Sequence, residues 1–114
     1  MSDRLAFTGF FGDAEHRFAL TDPMVAELER LTECGVGALY SRIVKQAFKA
    51  SDLAQIIRLG LIGGGMAPER AAQMVQTYAT DRPLGETFPL ALDVLDARWF
   101  GTPTPETPKE DAAQ

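Results

Sequence analysis

Three consecutive glycines behind an apolar run are the arrangement in this chain that most invites a chemical reading. Residues 53–70 read LAQIIRLGLIGGGMAPER, so Gly63, Gly64 and Gly65 close one helical run and Pro68 opens another. A glycine-rich loop cradles phosphate when its backbone N–H groups converge on an anion. A phosphate loop, however, leaves a β-strand and places Lys and then Ser or Thr directly after its last glycine. Met66, Ala67 and Pro68 follow here, and the preceding run has helical period. The three glycines are therefore expected to form a structural turn. Glycine leaves a helix through a left-handed conformation at little cost, and proline suits the first turn of the next helix.

The remaining chemical groups are scattered. His16 is the only histidine and Cys34 the only cysteine, so neither a His/Cys metal site nor a paired Cys–His nucleophile is expected. Cys34, beside Gly35, reads as a small buried hydrophobe. Neither Ser2 nor Ser41 stands in a nucleophile elbow. Asp93 and Asp96 sit three apart on one helix face and could pair as acid and base. With Arg98 nearby and Leu92 and Leu95 on the core side, they read instead as the solvated face, as do Glu27, Glu29 and Arg30. The expectation is a non-enzymatic protein with no cofactor and no metal.

The whole chain has 114 residues, 46% of them hydrophobic and 24% charged, and a net charge of −5 from 16 acidic and 11 basic residues. Those proportions fit an ordinary globular domain with one modest core. An acidic, evenly mixed chain lacks the Lys/Arg face that duplex nucleic acid requires. The longest apolar stretch, around Ile56 to Ile62, is broken by Arg58 and is too short to span a bilayer. No secretory leader is expected, since Asp3 and Arg4 precede an alternating segment. The expected location is cytoplasmic.

The elements that must position these residues follow from one change of period. Leu5, Phe7, Gly9 and Phe11 alternate with Ala6, Thr8 and Phe10; Gly12 and Asp13 offer a turn; His16, Phe18 and Leu20 resume the alternation. This predicts a β-hairpin. Helical spacing follows. Asp22 reads as an N-cap ahead of Pro23, with Met24, Leu28 and Leu31 as the first stripe and Gly35 as its stop. Residues 36–48 place Leu39, Tyr40, Ile43, Val44 and Ala47 on one stripe and Arg42, Lys45 and Lys49 on the other. Ser51 or Asp52 reads as the cap of a third helix carrying Leu53, Ile56, Ile57, Gly60 and Leu61. Pro68 opens a fourth with Ala71, Met74, Val75 and Tyr78. Residues 80–85 read as a loop. A fifth helix over 86–100 carries Phe88, Ala91, Leu92, Leu95 and Trp99, with Pro89 confined to its first turn.

The fold class is thus mainly α (α+β): one domain over 1–101, an N-terminal hairpin and a compact bundle of four to five short helices. Residues 102–114, TPTPETPKEDAAQ, carry three prolines and no apolar anchor, and are expected to be a disordered tail. Aromatic residues exceed what so small a core needs. Phe10 lies on the opposite side of its strand from Phe7 and Phe11. Trp99 and Phe100 are helix neighbours pointing about 100° apart, so at each end one aromatic is expected in the core and the other outside. Phe10, Trp99 and Phe100 are therefore the candidate partner-binding residues.

Several features occur here in a fixed order: the hairpin, Ala26-Glu27-Leu28-Glu29, Gly35-Val36-Gly37-Ala38-Leu39, Ser51-Asp52-Leu53 with Ile56-Ile57, and the Gly60-to-Gly65 ending. Ala71, Ala72 and Val75 follow, then Ala91-Leu92-Asp93-Val94-Leu95 ahead of Gly101. This order resembles the small gene transfer agent and siphophage tail proteins grouped with the phage tail assembly chaperones, a group also described as tail tube proteins. The resemblance runs from about Leu5 to Gly101, and its most specific piece is the glycine corner. It implies no catalytic residues. It implies binding to a tape measure or other tail protein during tail morphogenesis, in the cytoplasm of a bacterial host, and it is compatible with a homo-oligomer. A structural tail tube component is the first alternative. A generic helical interaction module is the second, including a helix-turn-helix using Arg42, Lys45 and Lys49 on phosphates.

Overall fold

Phenylalanines alternating with small or polar residues make the first elements strands. In the computed structural model, which describes residues 2–102, a 3-10 turn over Ser2–Leu5 leads into β1 (Ala6–Phe11). β1 pairs antiparallel with β2 (Ala14–Ala19), Phe7 lying opposite Phe18 and Phe11 opposite Ala14. Gly12 and Asp13 form the two-residue turn. Only Gly12 has positive φ, at 70°, the pattern of a II′ hairpin turn. Phe7, Phe11 and Phe18 share the inner face, with Phe18 tilted against Phe7 and edge-on to Phe11.

Five helices follow: α1 (Asp22–Thr32), α2 (Val36–Val44), α3 (Ala50–Gly63), α4 (Pro68–Tyr78) and α5 (Leu84–Phe100). The expected hairpin-and-helices fold is the observed one. Helix α3 is its centre, packing against β2, α5, α4 and α1. Leu53, Ile56, Ile57, Leu59 and Leu61 on it are all buried, and full burial of each such side chain stabilises by about 1.5–3 kcal/mol. Burial reaches further around α3 than the single stripe that its spacing suggests. The helix is covered by neighbours on several sides.

The glycine corner has two separate jobs. Gly65 has φ 117°. The Met66 N–H bonds the Leu61 carbonyl and the Gly65 N–H bonds the Ile62 carbonyl, each at 3.0 Å. This is the paired closure of a Schellman motif, in which the residue after the cap takes positive φ. Gly63 and Gly64 do something else. A Cβ on Gly63 would lie 1.8 Å from the Ala19 carbonyl oxygen, and one on Gly64 would lie 2.0 Å from that of Arg17. Turn geometry therefore accounts for one of the three glycines. The other two exist because α3 ends with its backbone pressed against β2.

Several boundaries differ from the expected ones. Thr21, not Asp22, is the N-cap of α1, and Asp22 is its first residue. Glu33, with φ 62°, ends α1, while Gly35 is the N-cap of α2. Helix α2 stops at Val44 rather than reaching residue 48. Gln46 takes φ 59°, and the Ala47 and Gln46 N–H groups bond the Arg42 and Ile43 carbonyls in a second Schellman closure. Helix α3 starts from Lys49, not Ser51 or Asp52. The Asp52 carboxylate sits one turn in and accepts the Lys49 N–H at 2.9 Å. Helix α5 begins at Leu84, which leaves Pro89 in its interior instead of its first turn. An Arg82–Glu86 pair at 3.2 Å and a Glu86 N–H bond to the Pro83 carbonyl accompany the early start.

Two long-range clamps close the molecule. Arg98 donates to the Leu20 carbonyl at 2.9 Å and to Asp22 Oδ1 at 2.7 Å, tying α5 to the β2–α1 junction. The Thr102 N–H bonds the Arg4 carbonyl at 2.7 Å, and its hydroxyl reaches the Arg4 and Ala6 carbonyls. Thr102 thus belongs to the folded unit and not to the tail. The expectation of disorder for the rest of the tail falls on residues 103–114, outside the described residues.

The two jobs of the corner separate by mutation. Gly63→Ala and Gly64→Ala each drive a methyl group into β2 backbone that cannot rotate away, and are expected to cost about 3 kcal/mol or more. Gly65→Ala meets no atom within 4 Å and should lose only the roughly 1–3 kcal/mol of a strained backbone. Urea midpoints of the three variants check the order; a Gly65 variant less stable than the other two would contradict it.

Candidate partner-binding surface

Helix α5 carries the candidate surface at its C-terminal end. Trp99 is 50% exposed and Phe100 68% exposed, and both turn toward Tyr40 of α2. The Tyr40 and Trp99 rings stack nearly parallel, 6° apart in plane and 4.7 Å between centroids. Phe100 meets Tyr40 edge-on at 6.5 Å. The Tyr40 hydroxyl donates to Asp96 Oδ1 at 2.7 Å, and this bond, with burial, pushes its pKa up. An aromatic cluster held in place by a polar anchor yet left half in water is the usual anatomy of a contact surface.

Phe10 is 67% exposed but lies elsewhere. Its neighbours are Phe11, Tyr78, Arg82, Glu86 and Leu90, toward the N-terminal end of α5. From Leu90 to Phe100 is about 15 Å along a helix. The three candidates thus form two separate patches, of which only the Trp99–Phe100 one is a cluster.

Residues assigned to the core stripe of α2 also reach this surface. Leu39 and Ile43 are fully buried, but Val44 is 52% exposed, Tyr40 is half-buried and Ala47 is exposed beyond the helix end. Only Leu39 and Ile43 of the five are fully buried, and the stop at Gln46 keeps Ala47 from joining the stripe. The helical spacing that joins Tyr40 to Val44 pointed to a shared face, but not that the face opens to solvent.

Asp93 and Asp96 part company at this site. Asp96 is half-buried and engaged by Tyr40. Asp93 is exposed, with no hydrogen bond or ion pair among the described residues. Desolvation, followed by the nearby Asp96 charge, pushes the Asp93 carboxyl above the usual aspartate range. Both line one concavity with Phe7, Ala97 and Phe100. Glu27 and Arg30 pair on the surface as expected. Glu29 does not simply face solvent, because its Oε2 accepts the Val36 N–H at 2.8 Å and so caps α2.

The basic stripe expected on the second helix does not exist. Arg42 bends back to the buried Asp52, 2.7 Å away, and the Asp52 hydrogen bond holds its guanidinium charged even more firmly than usual. Lys45 is the C-cap of α2 and Lys49 the N-cap of α3, so the three cations share no helix face. His16 bonds Asp13 Oδ1 at 2.9 Å beside the hairpin turn. Cys34 packs half-buried against Thr32. Among the described residues, no three of His, Cys, Asp and Glu gather as metal ligands, and no helix is long and apolar enough to cross a membrane.

The raised Asp93 carboxyl has a thermodynamic signature. Its folded pKa lies above its unfolded one, so the ionised form burdens the native state near pH 7. The burden disappears once pH falls below the unfolded value. Asp93→Asn is therefore expected to raise stability at pH 7 by a few tenths of a kcal/mol, a small effect at so exposed a site. The variant should match the parent chain near pH ~3, where Asp93 is protonated anyway. Melting curves at the two pH values check this; a destabilised variant at pH 7 would mean that Asp93 has a favourable contact in the native state.

The sequence profile of the family described as Phage tail tube protein, GTA-gp10, matches residues 4–101, a span that takes in the hairpin and all five helices. No curated protein and no solved structure matches the chain.

Proposed function

This chain belongs to the phage tail tube protein, GTA-gp10, family, and from that premise we propose that it is a non-enzymatic tail assembly chaperone that binds the tape measure protein. A tape measure is a long helical protein that the tail encloses only later, so before assembly its apolar stripes face the cytoplasm of the host. A small acidic protein with spare aromatic surface is suited to cover them by helix-in-groove packing, and its charge keeps the coated complex dispersed. The observation that carries this reading is the half-exposed Tyr40–Trp99–Phe100 cluster, which the core does not require.

A second reading, a structural subunit of the tail tube, is favoured by the family's own description. Tube subunits close rings from extended sheet around a lumen. The described residues hold a single two-stranded sheet. The Arg17 and Ala19 carbonyls of β2 are covered by Gly64, the C-cap of α3, and Gly63, its last residue, so a neighbour's strand cannot reach them there without moving α3.

Co-expression with the tape measure protein and analysis of finished tails separate the two readings. Acting as a chaperone, the chain keeps the tape measure soluble and is absent from mature tails. Trp99→Ser or Phe100→Ser loses the protection while shifting stability by about 1 kcal/mol or less, against about 3–5 for truncating a core aromatic. A tape measure that stays soluble alone, or recovery of the chain as a repeated component of mature tails, would overturn the proposal.

A further inference from the structure

We infer that the Tyr40–Trp99–Phe100 patch docks a helix whose apolar stripe is flanked by Lys or Arg, with Asp93 and Asp96 receiving the basic flank. The inference rests on the chaperone reading for the partner's identity and adds the partner's chemistry and the residues that select it.

The exposed side of α5 is apolar and acidic in one continuous strip. Asp93, Asp96 and Phe100 follow one another at spacings of three and four, so they lie on one helix face. Together with Phe7 and Ala97 they line a single concavity. Trp99 and Tyr40 extend the apolar floor toward α2, where Val44 lies one turn beyond Tyr40. Among the described residues no cation forms an ion pair with Asp93 or Asp96. Arg98, the only cation within α5, is turned to Leu20 and Asp22, and Arg4 gives its Nε to the Thr102 carbonyl. Asp93 has no partner among the described residues and lies beside Asp96.

A Lys or Arg side chain matches such a strip. Its methylene stem lies along aromatic surface while its head reaches a carboxylate, and a cation over an aromatic face gains further attraction. Apolar positions flanked by long basic side chains occur naturally on an amphipathic helix. Self-pairing is disfavoured on the same grounds. A two-fold contact places the same patch on both subunits, so Asp93 and Asp96 would face their own copies in a chain of net charge −5.

The test titrates the full chain with two synthetic amphipathic helices of about 20 residues, long enough to cross a small domain. Both carry a Leu stripe; one is flanked by Lys and Arg, the other by Glu. The basic peptide is expected to bind at least ~10-fold tighter near ~50 mM salt, and the preference should shrink near ~500 mM, where exposed charges are screened. Asp93→Lys should remove most of the preference without lowering the melting temperature, Asp93→Glu should retain it, and Trp99→Ser should weaken both peptides. The inference is overturned if the peptides bind equally, if neither binds, or if Asp93→Lys leaves the preference intact. It is also overturned if Trp99 proves to mediate concentration-dependent self-association in sedimentation. Loss of the preference while the chain still protects the tape measure sinks this inference alone. A clear preference without any protection of the tape measure sinks the chaperone reading and leaves the docking site.

Discussion

The close approach of α3 to β2 is the contact on which the rest of the fold depends. It is possible only because Gly63 and Gly64 present hydrogens where any other residue has a Cβ. Gly60, one turn earlier, extends the same groove. A Cβ there would press on Val94 of α5 at 3.1 Å and Phe18 of β2 at 3.3 Å. Three glycines on one helix end thus let the hairpin and α5 converge on α3 and bury Phe18 between them. An isolated hairpin is marginal in water, so β1 and β2 owe their order to this seat. Helix α5 in turn owes to it the position from which Trp99 and Phe100 meet Tyr40.

Charge is distributed with the same economy. Where carboxylates serve the fold they are engaged: Asp52 closes the α2–α3 junction with Arg42 and the Lys49 N–H, Glu29 caps α2, and Asp22 receives Arg98. Asp93 is the contrast. It sits in an aromatic concavity beside a like charge and has no described partner, an arrangement that stability alone would not favour. Groups held against their own preference occur more often where function requires them.

Much of the fold was legible in the sequence because it rests on local signals. Period two with a Gly-Asp turn marks the hairpin, period 3.6 marks each helix, and Gly-Gly-Gly followed by Pro68 marks the corner. What escaped detection is tertiary. Glu33 and Gln46 take positive φ without being glycine, so no local residue type announces where α1 and α2 end. Arg42 sits among polar residues at the edge of an amphipathic pattern, and only the α2–α3 turn reveals that it faces a buried Asp52. Pro89 looks like a helix start and is tolerated inside α5. At the surface, exposure of Phe10 followed from strand alternation, but helix geometry put only one of Trp99 and Phe100 outside, with Trp99 on the apolar stripe, whereas both are exposed. The Tyr40 stack was not legible, because it joins residues on two helices far apart in sequence.

The bonds from Thr102 to Arg4 and Ala6 have a topological consequence. They bring the two ends of the folded unit to one point, so the backbone from Arg4 to Thr102 is nearly a closed loop. New termini opened elsewhere, with a short bridge joining the old ones, would leave α3 and its glycine seat intact. That junction lies beside Phe100, with Gly101 and Thr102 lining the same concavity, so both ends of the folded unit border the aromatic surface.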